Sequence, residues 1–207
     1  MSANLKQVIG EVADDVIAAR DDLNRLDAAA GDGDLGVTMA TGGAAVKAIL
    51  PELSDADTAT VLRRCGSELA RKAPSTSGTL LATAFLRAGK AASESNLTDT
   101  ALLATLLAAA QQGISERGKA SPGDKTMLDA LGPAVAAVQR AADNQATLHA
   151  ALVGASEAAQ EGAAATKAMR PKIGRASWLA ERAEGQVDAG ASLVAVIFAS
   201  AARHVAS

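Results

Sequence analysis

Three carboxylates fall within one glycine-rich stretch, Asp27-Ala-Ala-Ala-Gly31-Asp32-Gly33-Asp34-Leu35-Gly36, with no Lys or Arg between them. Crowding like charges is unfavourable unless a cation sits among them or water screens them. Hard oxygen ligands separated by flexible glycine suit Mg²⁺ or Ca²⁺ rather than zinc. The spacing is not that of an EF-hand: the twelfth position is Thr38 counted from Asp27 and Gly43 counted from Asp32, where a Glu is needed. Mg²⁺ takes one or two protein carboxylates plus substrate phosphates, and backbone N–H groups around residues 33–36 could cradle such phosphates at a helix start. The other reading of this stretch is an acidic, solvated turn in which Asp34 caps the following helix.

Three further clusters carry possible chemistry. Pro74-Ser75-Thr76-Ser77-Gly78-Thr79 places hydroxyls at a helix N-terminus, which suits phosphate and equally suits an ordinary cap. Gly118-Lys119-Ala-Ser121-Pro122-Gly123-Asp124-Lys125-Thr126-Met127 has the wrong spacing for a Walker A loop or a Rossmann fingerprint and also reads as a helix start. Lys172-Ile-Gly174-Arg175-Ala-Ser177, followed by Asp188-Ala-Gly190, offers an Arg in a flexible loop that can neutralise phosphate. His149, His204 and Cys65 fall in helical sequence away from these clusters and are expected to pack rather than react.

These clusters sit at breaks in a chain that otherwise reads as helix. Ala, Leu, Glu, Gln and Arg dominate, the residues that lose least on entering a helix. Leu5, Val8, Ile9, Val12, Val16 and Ile17 keep the 3-and-4 spacing of one helical face, which stops in the stretch 28–36. A second helix is expected over about 36–50, before Pro51, and a third after the capping pair Ser54 and Asp57. Ser75-Thr76-Ser77 can cap a fourth and Thr98 can open a fifth. Ser121, with Pro122 next and Asp124 three residues on, reads as the start of a sixth that carries Met127, Leu128, Leu131, Val135 and Val138. A seventh is expected over about 145–167 and an eighth over about 190–205. The pattern implies one all-α domain over residues 1–207, with short connections between antiparallel neighbours. Two connections, 27–36 and 169–190, exceed what a turn needs, and long ordered loops are more often functional.

Composition excludes several function classes. Apolar residues make up 49% of the 207, so the chain can bury a core without a metal or disulfide staple. A net charge of −3 argues against nucleic acid as the main partner, and an aromatic content of 1% leaves few stacking platforms. The lone Cys65 excludes a disulfide framework or a Cys-based zinc site within one chain. No apolar run approaches ~18 residues and the N-terminus lacks the order of a signal peptide, so a cytoplasmic protein without a membrane partner is expected.

Taken in order, Leu26-Asp27…Gly31-Asp32-Gly33-Asp34…Gly36, Ser77-Gly78, Arg117-Gly118-Lys119…Gly123-Asp124-Lys125-Thr126-Met127, and Gly174-Arg175-Ala-Ser177 with Asp188…Gly190 resemble the nucleotide-binding L subunits of the dihydroxyacetone kinases over nearly the whole chain. The resemblance implies a closed barrel of eight antiparallel amphipathic helices with the nucleotide site in the loops at one rim. Residue by residue, it implies that Asp27, Asp32 and Asp34 hold two Mg²⁺ ions between the phosphates of ADP or ATP. Leu35, Gly36 and Thr38 then fall on a phosphate-contacting segment, and Thr76 and Ser77 on a second. Gly118 and Met127 match contacts near base and ribose, and Arg175, Asp188 and Gly190 match the loop over the nucleotide. Such a chain supplies the phosphoryl group to a hydroxyketone that the family binds covalently through a His on a separate K-type subunit. It is expected to be inactive on the sugar alone.

Departures from the family pattern bear on the donor. Leu35 stands where some members carry His, Pro74-Ser75 replaces a Gly-Gly, and Asp188-Ala189-Gly190 replaces Asp-Pro-Gly. Exchange of free ATP and rephosphorylation of a bound ADP by a phosphotransferase-system protein both stay open, as does a homodimer. The alternative from another class is a helical module for a lipid or acyl chain, or the nucleotide domain of a system like the fatty acid kinases.

Overall fold

The structure, a computed structural model, describes residues 2–178 and 180–205, except for the side chains of 2–4, 175, 176 and 180. Every regular element among them is helical. The first amphipathic stretch forms α1 (Ser2–Ala18) and α2 (Arg20–Ala30). These are nearly one rod, because the Ala19 N–H still reaches Asp15 O and the Leu23 N–H reaches Ala19 O, each at 3.0 Å. There follow α3 (Leu35–Ile49), a 3-10 turn (Leu50–Leu53), α4 (Thr58–Lys72), α5 (Thr76–Ser93), α6 (Asp99–Gly118), α7 (Leu128–Asp143), α8 (Leu148–Ala165) and a second 3-10 turn (Thr166–Ala168). Two short helices, α9 (Gly174–Trp178) and α10 (Ala180–Ala183), lie within the long connection before α11 (Ala189–His204).

Local chemistry explains most boundaries. Asp57 accepts the Thr60 N–H to cap α4, Ser75 accepts that of Gly78 to cap α5, and Thr147 accepts that of Ala150 to cap α8. Thr98 occupies the N-cap position of α6 without a side-chain cap. The expected start of the sixth helix at Ser121 is corrected: α7 begins at Leu128. The Ser121–Asp124 half of a capping box does form, with the Ser121 N–H donated to Asp124 Oδ2 at 2.8 Å. Left-handed backbone at Gly123 (φ +89°) and Lys125 (φ +60°) then prevents the helix from propagating. The effective box lies five residues later, where the Thr126 N–H goes to Asp129 Oδ2 (2.7 Å) and the Leu128 N–H to Thr126 Oγ1 (3.2 Å).

The packing partners run in a ring. Helix α1 packs on α3, and each of α3, α4, α5, α6 and α7 packs on the next; α8 packs on α11, which returns to α1. A polar clamp fastens that last seam, where Asp15 Oδ2 accepts from Ser200 Oγ (2.5 Å), Arg203 (2.7 Å) and His204 Nε2 (3.3 Å). Those hydrogen bonds, led by that of Ser200, hold the Asp15 carboxyl below its usual range. Inside the ring lies an apolar cavity of about 350 Å³ lined from all eight helices of the ring, with Val8, Val46, Leu62, Phe85, Leu106 and Phe198 on its wall. Fully buried alanines such as Ala130, Ala134, Ala155 and Ala159 let α7 and α8 approach closely. No helix among the described residues is long and apolar enough to cross a membrane.

Candidate functional site

Near the end of α2, Asp27 becomes the point around which the chain folds back. Its Oδ2 accepts the backbone N–H groups of Gly33 (2.9 Å), Asp34 (3.1 Å) and Leu35 (3.4 Å). The reversal uses left-handed backbone at Gly33 (φ +76°), which glycine adopts without steric cost. Carboxylate oxygens of Asp27, Asp32 and Asp34 thereby come within 4.8 Å of one another, with Asp27 half-buried and the other two exposed. Three clustered oxygen donors fit a hard divalent cation that also carries phosphate oxygens.

One expectation changes at this loop. Asp34 sits at the N-cap position of α3, yet its side chain makes no capping hydrogen bond. The amides of residues 33–35 turn to Asp27, and the Val37 N–H goes to Asn24 Oδ1 at 3.1 Å. Gly36 presses α3 onto α2: a Cβ there would lie 1.9 Å from the Arg20 carbonyl oxygen.

The start of α5 is the second segment expected to receive phosphate. Ser75 caps it, with its Oγ 3.1 Å from the Gly78 nitrogen, and Thr76 and Ser77 form its first turn. Helix N-terminal amides lack intrahelical partners, and the dipole there favours an anion.

The loop before α7 is organised by buried charge. Asp129, 6% exposed, accepts the Gly123 N–H at 2.5 Å as well as that of Thr126. Lys125, 5% exposed, donates to the carbonyl oxygens of Met169 (3.1 Å), Ala183 (2.7 Å) and Gln186 (2.9 Å). Burial holds its ammonium below the usual lysine range, against the opposing pull of Asp188 and Glu184. Asp188 caps α11 by accepting the Ala191 N–H (2.7 Å), and its own N–H goes to Thr166 Oγ1 (2.9 Å). Burial pushes its carboxyl up to about 6, with Asp129 adding to the rise and the capping hydrogen bond to Ala191 opposing it.

One cleft of about 530 Å³ gathers most of the residues singled out in the sequence, and its volume is typical of a small-molecule site. Asp27, Asp32, Asp34 and Leu35 line it from the acidic loop, and Thr76 and Ser77 from α5. Gly118 and Met127 contribute from either side of the third loop, and Asp188 and Gly190 from the start of α11. Gly36 and Thr38 are not on its wall: Gly36 is buried against α2, and the Thr38 N–H closes the first turn of α3 onto Asp34 O at 2.9 Å. The backbone of Arg175 lies in α9, and its side chain falls outside the described residues.

The sequence reading assigned no role to Lys125, Asp129 or Trp178. Lys125 and Trp178 line the cleft, and Trp178 is 85% exposed. The signal for Asp129 was the capping box Thr126-Met-Leu-Asp129, and that for Trp178 was its being the single Trp of an aromatic-poor chain. Cys65 is fully buried and burial pushes its thiol up to about 11, while His149 Nδ1 pairs with Val205 O at 2.9 Å. All three, with His204 on Asp15, take packing roles.

Residues 29–203 match the model of the DAK2 domain. The chain is 37% identical over 187 residues to D-erythrulose kinase of Mycolicibacterium smegmatis, covering 89% of this chain and 32% of that protein. It is 35% identical over 172 residues to the ADP-binding subunit DhaL of the PEP-dependent dihydroxyacetone kinase of Escherichia coli, covering 83% of this chain and 82% of that one. The fold superposes on the crystal structure of the dihydroxyacetone kinase of C. freundii with a TM-score of 0.77 at 28% identity, over 97% of this chain and 34% of that chain. That kinase has also been solved in complex with AMP-PNP and Mg²⁺, with the same degree of match. The chain thus spans about a third of the single-chain kinases it resembles and about four-fifths of the separate ADP-binding subunit.

Proposed function

The chain belongs to the DAK2 domain family, and from that premise we propose that it is the nucleotide- and Mg²⁺-binding part of a ketose kinase. In this reading residues 1–207 form one domain, and the ring of helices is the closed barrel that carries the site at its rim. The observation that carries the proposal is the cleft itself, which brings the carboxylates of Asp27, Asp32 and Asp34 and the N-terminus of α5 onto one wall.

Asp27, Asp32 and Asp34 would hold Mg²⁺, two ions in the family's manner, whose charge would offset that of the phosphates. Thr76 and Ser77 receive phosphate oxygens at the α5 N-terminus. Met127, Gly118 and Gly190 wall the rest of the nucleotide, with Asp188 holding the start of α11 and Arg175, whose backbone lies in α9, assigned to the loop over the nucleotide by the family resemblance. In the reaction a ketose hydroxyl oxygen forms a bond to the γ-phosphorus and gives up its proton to solvent or to the ketose-bearing subunit, while the bond from that phosphorus to the bridging oxygen breaks and ADP leaves. This chain contributes position and charge rather than a nucleophile.

A separate K-type subunit presents the hydroxyketone. The printed names of the relatives, kinases of dihydroxyacetone or erythrulose, support that substrate class. None of them supports the acyl-binding alternative. The phosphoryl donor is either ATP that exchanges or ADP that stays bound and is recharged by a phosphotransferase-system protein. Mass spectrometry of the purified chain separates these, since only the second predicts retained ADP.

The deciding experiment is calorimetry of ADP and ATP with and without Mg²⁺, on wild type and Asp32→Asn. Binding that needs both Mg²⁺ and Asp32 is expected. Binding indifferent to both, or no binding, would overturn the proposal.

A further inference from the structure

We propose that Lys125 is a positioning residue of the nucleotide cleft, tying both feet of the segment 169–186 to the loop before α7 and so holding one wall of the cleft in place. The claim rests on the function proposed above only where nucleotide affinity is read.

The geometry is specific to an ammonium. Lysine offers three protons in a tetrahedral arrangement and accepts nothing. Here they meet three carbonyl oxygens, one at the first foot (Met169) and two at the second (Ala183 and Gln186). Those carbonyls lie 44, 58 and 61 residues from Lys125 along the chain, so no local element brings them together. A planar guanidinium would not match them.

The segment between the feet is otherwise held by the packing of α10 on α2, by Ile173 against the core and by the ion pair of Lys172 with Asp124. Its helices α9 and α10 have five and four residues, far below the length at which a helix is stable alone. A second tie comes from the same loop, where the Lys172 N–H donates to Asp124 O at 3.2 Å. Between the feet, Ile173 and Trp178 line the cleft.

The backbone at Lys125 shows the same priority. Its φ of +60° lies in the left-handed region, which is unfavourable for a residue with a Cβ and ordinarily selects glycine. Keeping a lysine there aims the ammonium inward, where it is 5% exposed. The carboxylates of Asp188 and Glu184 supply the opposing charge that helps a buried cation to persist.

The chain carries its own probe, since Trp178 is its single tryptophan and sits on α9. Lys125→Met keeps the stem and removes the three donors. The fluorescence anisotropy of Trp178 in the ligand-free variant should fall at a temperature where far-UV circular dichroism is unchanged. Affinity for Mg²⁺-ADP should fall roughly tenfold, because ordering the freed residues then opposes binding. A purely structural role for Lys125 would lower Tm without moving the anisotropy well below it. If Lys125→Met does not fold, Lys125→Gly suits the left-handed backbone and should show the same loss. Unchanged anisotropy in a folded variant overturns the proposal, and so does lowered anisotropy with wild-type affinity. Lowered anisotropy in a protein whose wild type binds no nucleotide supports the tie and overturns the proposed function instead.

Discussion

Substituting Gly36 by Ala tests whether the acidic loop depends on the close contact of α2 and α3. The new Cβ would lie 1.9 Å from the Arg20 carbonyl oxygen, and 2.8 Å from both the Arg20 carbonyl carbon and Asn24 Oδ1. Real Cβ contacts stay at 3.0 Å or more, so the start of α3 must withdraw by at least 1.1 Å, the difference between 3.0 and 1.9 Å. The obstructing atom is helix backbone and cannot swing aside. Asn24 is also displaced, and with it the acceptor of the Val37 N–H. Asp34 and Leu35 immediately precede Gly36, so the contacts that Asp27 makes to their amides open together. Overpacking of this kind costs about 1–3 kcal/mol, which lowers Tm by roughly 2–12 °C for a chain of this size. A displacement of about 1 Å in a binding constellation costs on the order of 100-fold, here in Mg²⁺-dependent ADP affinity. Gly154→Ala is the control: nothing lies within 4 Å of a Cβ there, and it sits inside α8. It should stabilise by about 0.5–1 kcal/mol and leave affinity alone. Thermal melts and calorimetry on both variants decide the matter. A Gly36→Ala protein with wild-type Tm and wild-type affinity would refute the reasoning.

Three further outcomes follow from the same contacts. Asp27→Asn removes charge from the triad and weakens the acceptor of three amides, so Mg²⁺-dependent nucleotide binding should drop more than ~10-fold; equal affinity in a Mg²⁺ titration would remove Asp27 from the metal site. Asp188 has a carboxyl raised from 3.8 to about 6, so the folded state holds a proton that the unfolded chain has released in that window. Stability from this group is present at low pH and lost as pH rises through the window, by on the order of 3 kcal/mol. Asp15 and Asp57 work in the opposite sense below 3.8 and Glu68 below 4.5, so between about pH 5 and 6 melts of wild type should decline with pH where those of Asp188→Asn do not; parallel curves would contradict the assignment. Ser75→Ala removes the cap of α5 and should cost about 1 kcal/mol in melts, with phosphate-dependent affinity falling as the first turn frays; no change in either would mean that the cap does not order the turn.

Helix content, most helix starts and the composition of the site were legible because they depend on neighbours in the chain. Periodicity from Leu5 to Ile17, the cap at Ser75 and the glycine-spaced acids at 27, 32 and 34 are local patterns, and local hydrogen bonds and solvation set their preferences. The start of α7 was misplaced because two capping boxes stand five residues apart, and the winner is chosen by backbone that turns left-handed at Lys125 to reach distant carbonyls. Likewise, residue spacing cannot show that the amides of 33–35 turn to Asp27. The amino-acid sequence by itself determined an all-helical chain and which residue types could hold a metal and a phosphate. Only the tertiary structure decided that loops more than a hundred residues apart share one cleft, with Lys125 on its wall. The physical reason is that burying a charge is tolerable only where distant chain supplies its partners, and those partners exist only once the helices have packed.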